Sequence, residues 1–129
     1  MRGFIGDIES LTTENTDYRR VLYTGRHLQL VLMTLQPGEE VGEEVHETHD
    51  QFFRIESGQG AVEIDGARTP IEDDDAIIVP AGARHNVLNT GQAPLKFYTL
   101  YGPPEHRDGV LQPTKADEAE EHFDGRTTE

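Results

Sequence analysis

Gln51-Phe52-Phe53-Arg54-Ile55-Glu56-Ser57-Gly58-Gln59-Gly60-Ala61-Val62-Glu63-Ile64-Asp65-Gly66 alternates, turns and alternates again. From Gln51 to Glu56 every second side chain shares a face, so Gln51, Phe53 and Ile55 stand together opposite Phe52, Arg54 and Glu56. Ser57-Gly58-Gln59-Gly60 turns the chain, Ala61 to Ile64 reads as the next strand, and Asp65-Gly66 is a favoured two-residue hairpin turn. Working upstream, Leu28 to Leu35 is an apolar run stopped by Pro37-Gly38. Downstream, Ala76 to Val79 ends at Pro80-Ala81-Gly82, His85 to Asn89 follows, and Asn89-Thr90-Gly91 turns into Leu95 to Tyr101. Short strands at this spacing, with no helical period between them, predict an all-β sandwich or barrel.

The 129 residues suffice for one domain. There is no cysteine, which excludes disulfides, thiolate zinc sites and cysteine nucleophiles. The N-terminus lacks the apolar stretch of a signal peptide, and no apolar run approaches the ~20 residues needed to span a bilayer. The protein is expected to be soluble and cytoplasmic. Twenty-five acidic residues face 11 basic ones, a formal net charge of −14, so nucleic acid and membrane surfaces are poor partners. Lys96 and Lys115 are the only lysines, and acid excess with scarce lysine looks like the proteins of salt-accumulating halophiles.

The ends differ from the middle. Residues 1–17 are polar and read as an arm that wraps the barrel or adds an edge strand. Residues 18–104 form the barrel. Residues 105–129 read as an acidic tail, loose or with a short helix. Pro103-Pro104-Glu105-His106-Arg107 reads as an exposed linker in preference to a lid over the barrel mouth.

Six histidines are present, and a histidine needs context before it counts as a ligand. Glu44 and His46 are two apart and so share a strand face. A short connection then brings Gln51 beside them, and His85 begins a later strand just past a Pro/Gly turn. Two imidazoles, a carboxylate and an amide carbonyl make a mixed nitrogen/oxygen metal site. His49, three residues from His46, does not share its strand face and reads as a loop residue. Parity places Phe53 and Ile55 with Gln51, and Val87 with His85, so Phe53, Ile55 and Val87 are expected to line a largely apolar pocket. Leu95 to Tyr101 contributes either Phe97 and Tyr101 or Lys96 and Tyr98. Arg54 and Arg84 point away, leaving no basic cluster for a phosphate. Gly58-Gln59-Gly60 has no helix after it and is a turn. Neither serine has a G-x-S-x-G setting.

At these residues the chain resembles a cupin. The family's second motif, a glycine, five residues and then P-x-G-x-x-H-x-x-x-N, is matched by Pro80, Gly82, His85 and Asn89, with Asp74 in place of the leading glycine. In the first motif His46 matches the second histidine, Gly38 the opening glycine and Gly58 the closing one. Glu44 stands where a histidine belongs and Gln51 where a glutamate belongs. The resemblance covers roughly residues 28 to 101 and is nearest to small stand-alone cupins. It implies a single cupin-type antiparallel β-barrel, the double-stranded β-helix or jelly roll.

The site then implies one divalent transition metal (Mn, Fe, Ni or Zn) on Glu44, His46, Gln51 and His85. The function expected is a metal-dependent enzyme on a small oxygenated organic molecule, dioxygenase-like or sugar-isomerase-like. A non-catalytic metal-anchored binding or sensing module is the alternative. No catalytic residue is assigned; for isomerisation Glu63 and His106 are the candidate bases. Phe52, facing outward, points to a homodimer.

Overall fold

The computed structural model describes residues 1–129. The apolar run becomes β2 (Gln29–Leu35), and all seven of its residues are buried. Its position explains this: it pairs with β1 (Arg19–Thr24) on one side and β9 (Leu95–Gly102) on the other. A short helix, α1 (Ile8–Glu14), lies against β2, β9 and β4 (Asp50–Ser57). The side chain of Asp7 accepts from Ser10 N to start this helix. The Lys96 ammonium donates to the carbonyls of Thr13 and Asn15 at its end, where cations are favoured. The polar N-terminal stretch thus meets the barrel as a helix and not as an edge strand.

Two antiparallel sheets carry the fold. The six-stranded sheet runs β10 (Leu111–Gln112), β1, β2, β9, β4, β7 (Ala76–Val79). The four-stranded sheet runs β3 (Glu44–Val45), β8 (Arg84–Leu88), β5 (Gln59–Ile64), β6 (Ala67–Glu72). The chain is an all-β jelly-roll barrel: all-β as its alternation predicts, and a jelly roll as the family resemblance implies. Gln51, Phe53 and Ile55 are buried along β4, the parity read from sequence. On β9 the inward set is Leu95, Phe97, Thr99 and Tyr101, which settles the choice the sequence left open.

The turn between β4 and β5 is tighter than the four residues expected. Gly58 alone pivots the chain from one sheet to the other, with φ +99° and room for no side chain, since a Cβ there would lie 2.6 Å from the Pro94 carbonyl oxygen. Asp65 and Gly66 both have positive φ, the type I′ geometry that suits a hairpin's twist. Asp74, standing where the family motif carries glycine, also has φ +73°. Aspartate is among the few residues that tolerate this region, so the departure keeps the turn.

Between the sheets Val31, Met33, Leu35, Ile55, Val62, Val87 and Phe97 form the centre of a continuous core. Asn89 closes the far end of β8. Its buried amide donates to the carbonyls of Leu35 and Ala93 and accepts from Gly91 N.

Candidate metal centre

The site begins with a register. β3 pairs with β8 so that Glu44 stands opposite His85, and residues directly opposite in a ladder project to the same face. Val45 turns outward, and His46 returns to the face of Glu44. Backbone and side-chain contacts hold this short strand: Gly82 N donates to His46 O, Val41 N to Val87 O, and Gly42 N to Asn86 Oδ1. Glu44, His46 and His85 consequently offer one ligand atom each, all within 4.8 Å of one another.

Each donor is oriented. His85 is 5% exposed and its Nδ1 lies 3.1 Å from the Ala83 carbonyl oxygen. That contact puts the proton on Nδ1 and leaves the Nε2 lone pair free, the arrangement a metal-bound histidine needs. Burial lowers its pKa, outweighing the Ala83 carbonyl and the nearby Glu44 charge, so it is neutral at neutral pH. His46 goes the other way. Burial opposes its charge, but the Glu44 carboxylate beside it and the Glu105 charge outweigh that and raise its pKa. His46 Nε2 lies 2.9 Å from Glu44 Oε2, yet it is buried and makes no hydrogen bond. Gln51 is 4% exposed. Its Nε2 donates to Thr99 Oγ1 at 3.0 Å, and Thr99 Oγ1 donates to Phe52 O. Its Oε1 is left buried with no partner. Nitrogen and oxygen donors with spare lone pairs suit a divalent transition ion.

A cavity of about 530 Å³ opens beside Glu44 and His46. It is polar, contrary to the apolar pocket expected: of 14 lining residues only Val41, Val45 and Ala119 are apolar. Phe53, Ile55 and Val87 are core residues and are not among the lining, although the Phe53 ring lies 6.4 Å from that of His85. The difference arises because the cavity wall comes from the C-terminal segment, Glu118 to His122, and from Arg19 on β1.

The stretch after β9 is not an exposed linker. Gln29 Oε1 accepts from the backbone N–H groups of Glu105 and His106, and this places both side chains at the mouth. Glu105, 14% exposed, lies 3.6 Å from His46 Nδ1, 3.3 Å from His49 Nε2 and 3.3 Å from His122 Nδ1. His49 is a loop residue as expected, but its ring faces His46 at 5.7 Å. His106 lines the cavity, with Nε2 3.3 Å from the Tyr101 hydroxyl. Glu63 is ruled out as a base here. It pairs with Asn86, on the face opposite to the Ile64–His85 pair.

Arg19, Glu105, Glu118 and His122 were missed. For Arg19 a signal existed, because Arg19-Arg20-Val21 alternates and Val21 is a core residue. For the others contact order hides the answer, as in the 100-residue separation between Tyr18 and its partner Glu118.

A family model described as "Cupin domain" matches residues 31–101. The Bacillus subtilis protein YrkC, uncharacterized by its own name, is 45% identical over 120 residues, covering 88% of this chain. This chain spans 64% of that relative's length. A solved structure from Bacillus halodurans superposes with a TM-score of 0.88 at 45% identity, covering 90% of this chain and 92% of that one. The tetracenomycin polyketide synthase protein TcmJ of Streptomyces glaucescens is 34% identical over 69 residues, 54% of this chain and 46% of that protein. No helix is long and apolar enough to cross a membrane.

Proposed function

Because the chain belongs to the cupin family, we propose that it holds one divalent transition metal, Mn, Fe, Ni or Zn, and acts as a metal-dependent enzyme on a small oxygenated organic molecule. Glu44, His46 and His85 are the protein ligands in this reading, with the Gln51 carbonyl oxygen as a fourth donor. The observation that carries it is Gln51 Oε1, buried with no partner, together with the buried His46 Nε2, which has only the Glu44 carboxylate beside it at 2.9 Å; both belong to residues of the expected donor set. Such atoms are costly to bury unless something binds them.

When bound, the ion supplies Lewis acidity toward hydroxyl or keto-enol oxygens. The chain's own residues do the rest. The Ala83 carbonyl fixes the His85 tautomer. Beside His46, the Tyr101 phenol is held in its protonated form, chiefly by burial. His106, pushed down to about 3 chiefly by burial and the Arg19 charge, stays neutral. The Tyr101 hydroxyl lies 3.3 Å from Nε2 of His106, and of the two only His106 lines the cavity. So low a pKa makes His106 a weak base, which counts against it as the proton acceptor of an isomerisation. Two histidines and one carboxylate also form the ligand set of oxygen-dependent non-haem iron enzymes. The likeness to a polyketide synthase protein supports an oxygen-rich organic ligand.

The test is metal analysis followed by a thermal-shift and turnover screen of sugars, diketones and catechols on the metal-loaded protein. Stabilisation by mass action, accompanied by consumption of the same compound, is the expected result. A ligand that is bound and never consumed would instead favour the binding or sensing module. Pairing of two copies is proposed separately, through the outer face where Phe52 stands opposite the exposed Ile78. Light scattering that reports only monomer would remove it.

A further inference from the structure

The cavity is lined by six carboxylates, Glu43, Glu44, Glu105, Glu118, Glu120 and Glu121, and by one cationic side chain of fixed charge, Arg19. Arg19 is unusual among arginines in that its side chain is only 4% exposed. Nη1 donates to Gln112 Oε1 at 2.8 Å and lies 3.3 Å from Glu118 Oε2. Glu118 is itself tightly held, accepting from Tyr18 Oη at 2.7 Å and from Lys115 Nζ at 2.8 Å. The guanidinium therefore faces a fixed carboxylate that it shares with Lys115. One donor is left over: Arg19 Nε is buried and has no partner. Arg19 lines the same cavity as Glu44 and His46.

A free N–H beside a metal site marks a place for a ligand oxygen. The surroundings decide which oxygen. A carboxylate entering here would meet a guanidinium already paired with Glu118, and five further carboxylates of which only Glu43 and Glu121 have an arginine partner, Arg84 and Arg107. A hydroxyl or carbonyl oxygen accepts the same Nε–H without that repulsion. We infer that Arg19 is the specificity-determining residue of the cavity, donating Nε–H to an oxygen of an uncharged hydroxyl- or carbonyl-bearing ligand, and that the Arg19–Glu118 pair excludes the corresponding acids. This rests on the metal reading above and adds the charge class of the ligand to it.

The full chain is loaded with Mn²⁺, its metal content is measured, and it is titrated with two matched pairs: catechol against protocatechuate, and sorbitol against gluconate. At least one neutral member binds, and does so at least tenfold more tightly than its acid. Glu118→Gln removes the counter-charge while keeping the shape, and shifts that ratio at least tenfold toward the acid. Arg19→Met weakens the neutral ligand and leaves the Mn²⁺ content unchanged. An acid that binds wild type as tightly as its neutral counterpart overturns the assignment. So does the failure of both neutral members at tens of millimolar, or an unmoved ratio in a folded Glu118→Gln. The wild-type ratio decides even where the variant does not fold. A chain that takes up none of Mn²⁺, Fe²⁺, Ni²⁺ and Zn²⁺ overturns the metal reading and this inference together. One that holds Mn²⁺ yet prefers acids overturns the Arg19 assignment alone.

Discussion

The centre of the barrel and its mouth are built on opposite principles. Along β2 and β9 the inward Val31, Met33, Leu35, Leu95 and Phe97 belong to one apolar core, and the strands are paired on both sides. At the mouth, β3 is two residues long and paired on one side. Its neighbours are carboxylates and imidazoles, and the buried Arg19 Nε, His46 Nε2 and Gln51 Oε1 make no hydrogen bond there. The centre spends nothing on specificity and everything on burial. The mouth keeps polar groups that destabilise the empty fold and suit a bound ion. Stability and function are thereby assigned to different residues, and the two should respond separately to substitution.

The largest effect is expected at the centre. Phe97 is fully buried between β2 and β4, and Phe97→Ala should cost about 3–5 kcal/mol of unfolding free energy in denaturant titration. Metal affinity of the folded fraction should be unchanged. Equal loss of both would break the separation.

The mouth gives the next effect, and its sign is that of a salt-bridged carboxylate, set at a higher pH because the group is a histidine. His106 has a folded pKa of about 3 against an ordinary 6.5. Between those values the unfolded chain takes up a proton that the folded chain refuses. Stability is therefore full above pH 6.5 and falls as the pH drops toward 3, by up to about 1.4 kcal/mol per pH unit. His106→Gln should flatten this acid limb in thermal melts. An unchanged slope would mean that His106 is protonated in the fold.

How far this division could be read from sequence follows from its physics. The centre was legible because burial writes itself locally: the apolar run of β2, the alternation of β4, the Asp65-Gly66 turn and the Pro80-Ala81-Gly82 stop each need only neighbouring residues. β6 was missed because it is an edge strand, mostly exposed and carrying Pro70. The pairing of Glu44 with His46 was readable by parity alone. The cavity wall was not. Glu118 and Arg19 meet only after β10 has laid the C-terminal segment along β1, and no local pattern announces a partner about a hundred residues away. The mistaken expectation of an apolar pocket has the same origin, since a barrel without its C-terminal wall offers only its core residues as lining.

A smaller effect sharpens the role of Gln51. Gln51→Glu keeps the geometry and adds a charge, so it should tighten divalent-ion binding about tenfold at neutral pH, with affinity falling as the new carboxylate protonates. Chelator competition measures it. An unchanged affinity would place Gln51 outside the ligand set and leave three protein donors.

The least site-specific effect comes from the whole surface. With a net charge of −14 the fold repels itself, and the screening length shrinks from about 10 Å at 0.1 M salt to about 3 Å at 1 M. Melting temperature should rise with KCl. A flat or falling curve would make the acid excess an ordinary solvated surface.

The central claim is that the mouth is a metal centre, and metal content after dialysis against a mild chelator tests it most directly. Wild type should retain close to one divalent ion per chain. His46→Ala and His85→Ala, folded by circular dichroism, should each lose most of it, beyond the 10–100-fold affinity loss typical of residues that only support a ligand. Folded His46→Ala and His85→Ala proteins that both keep a full complement of metal would contradict the account.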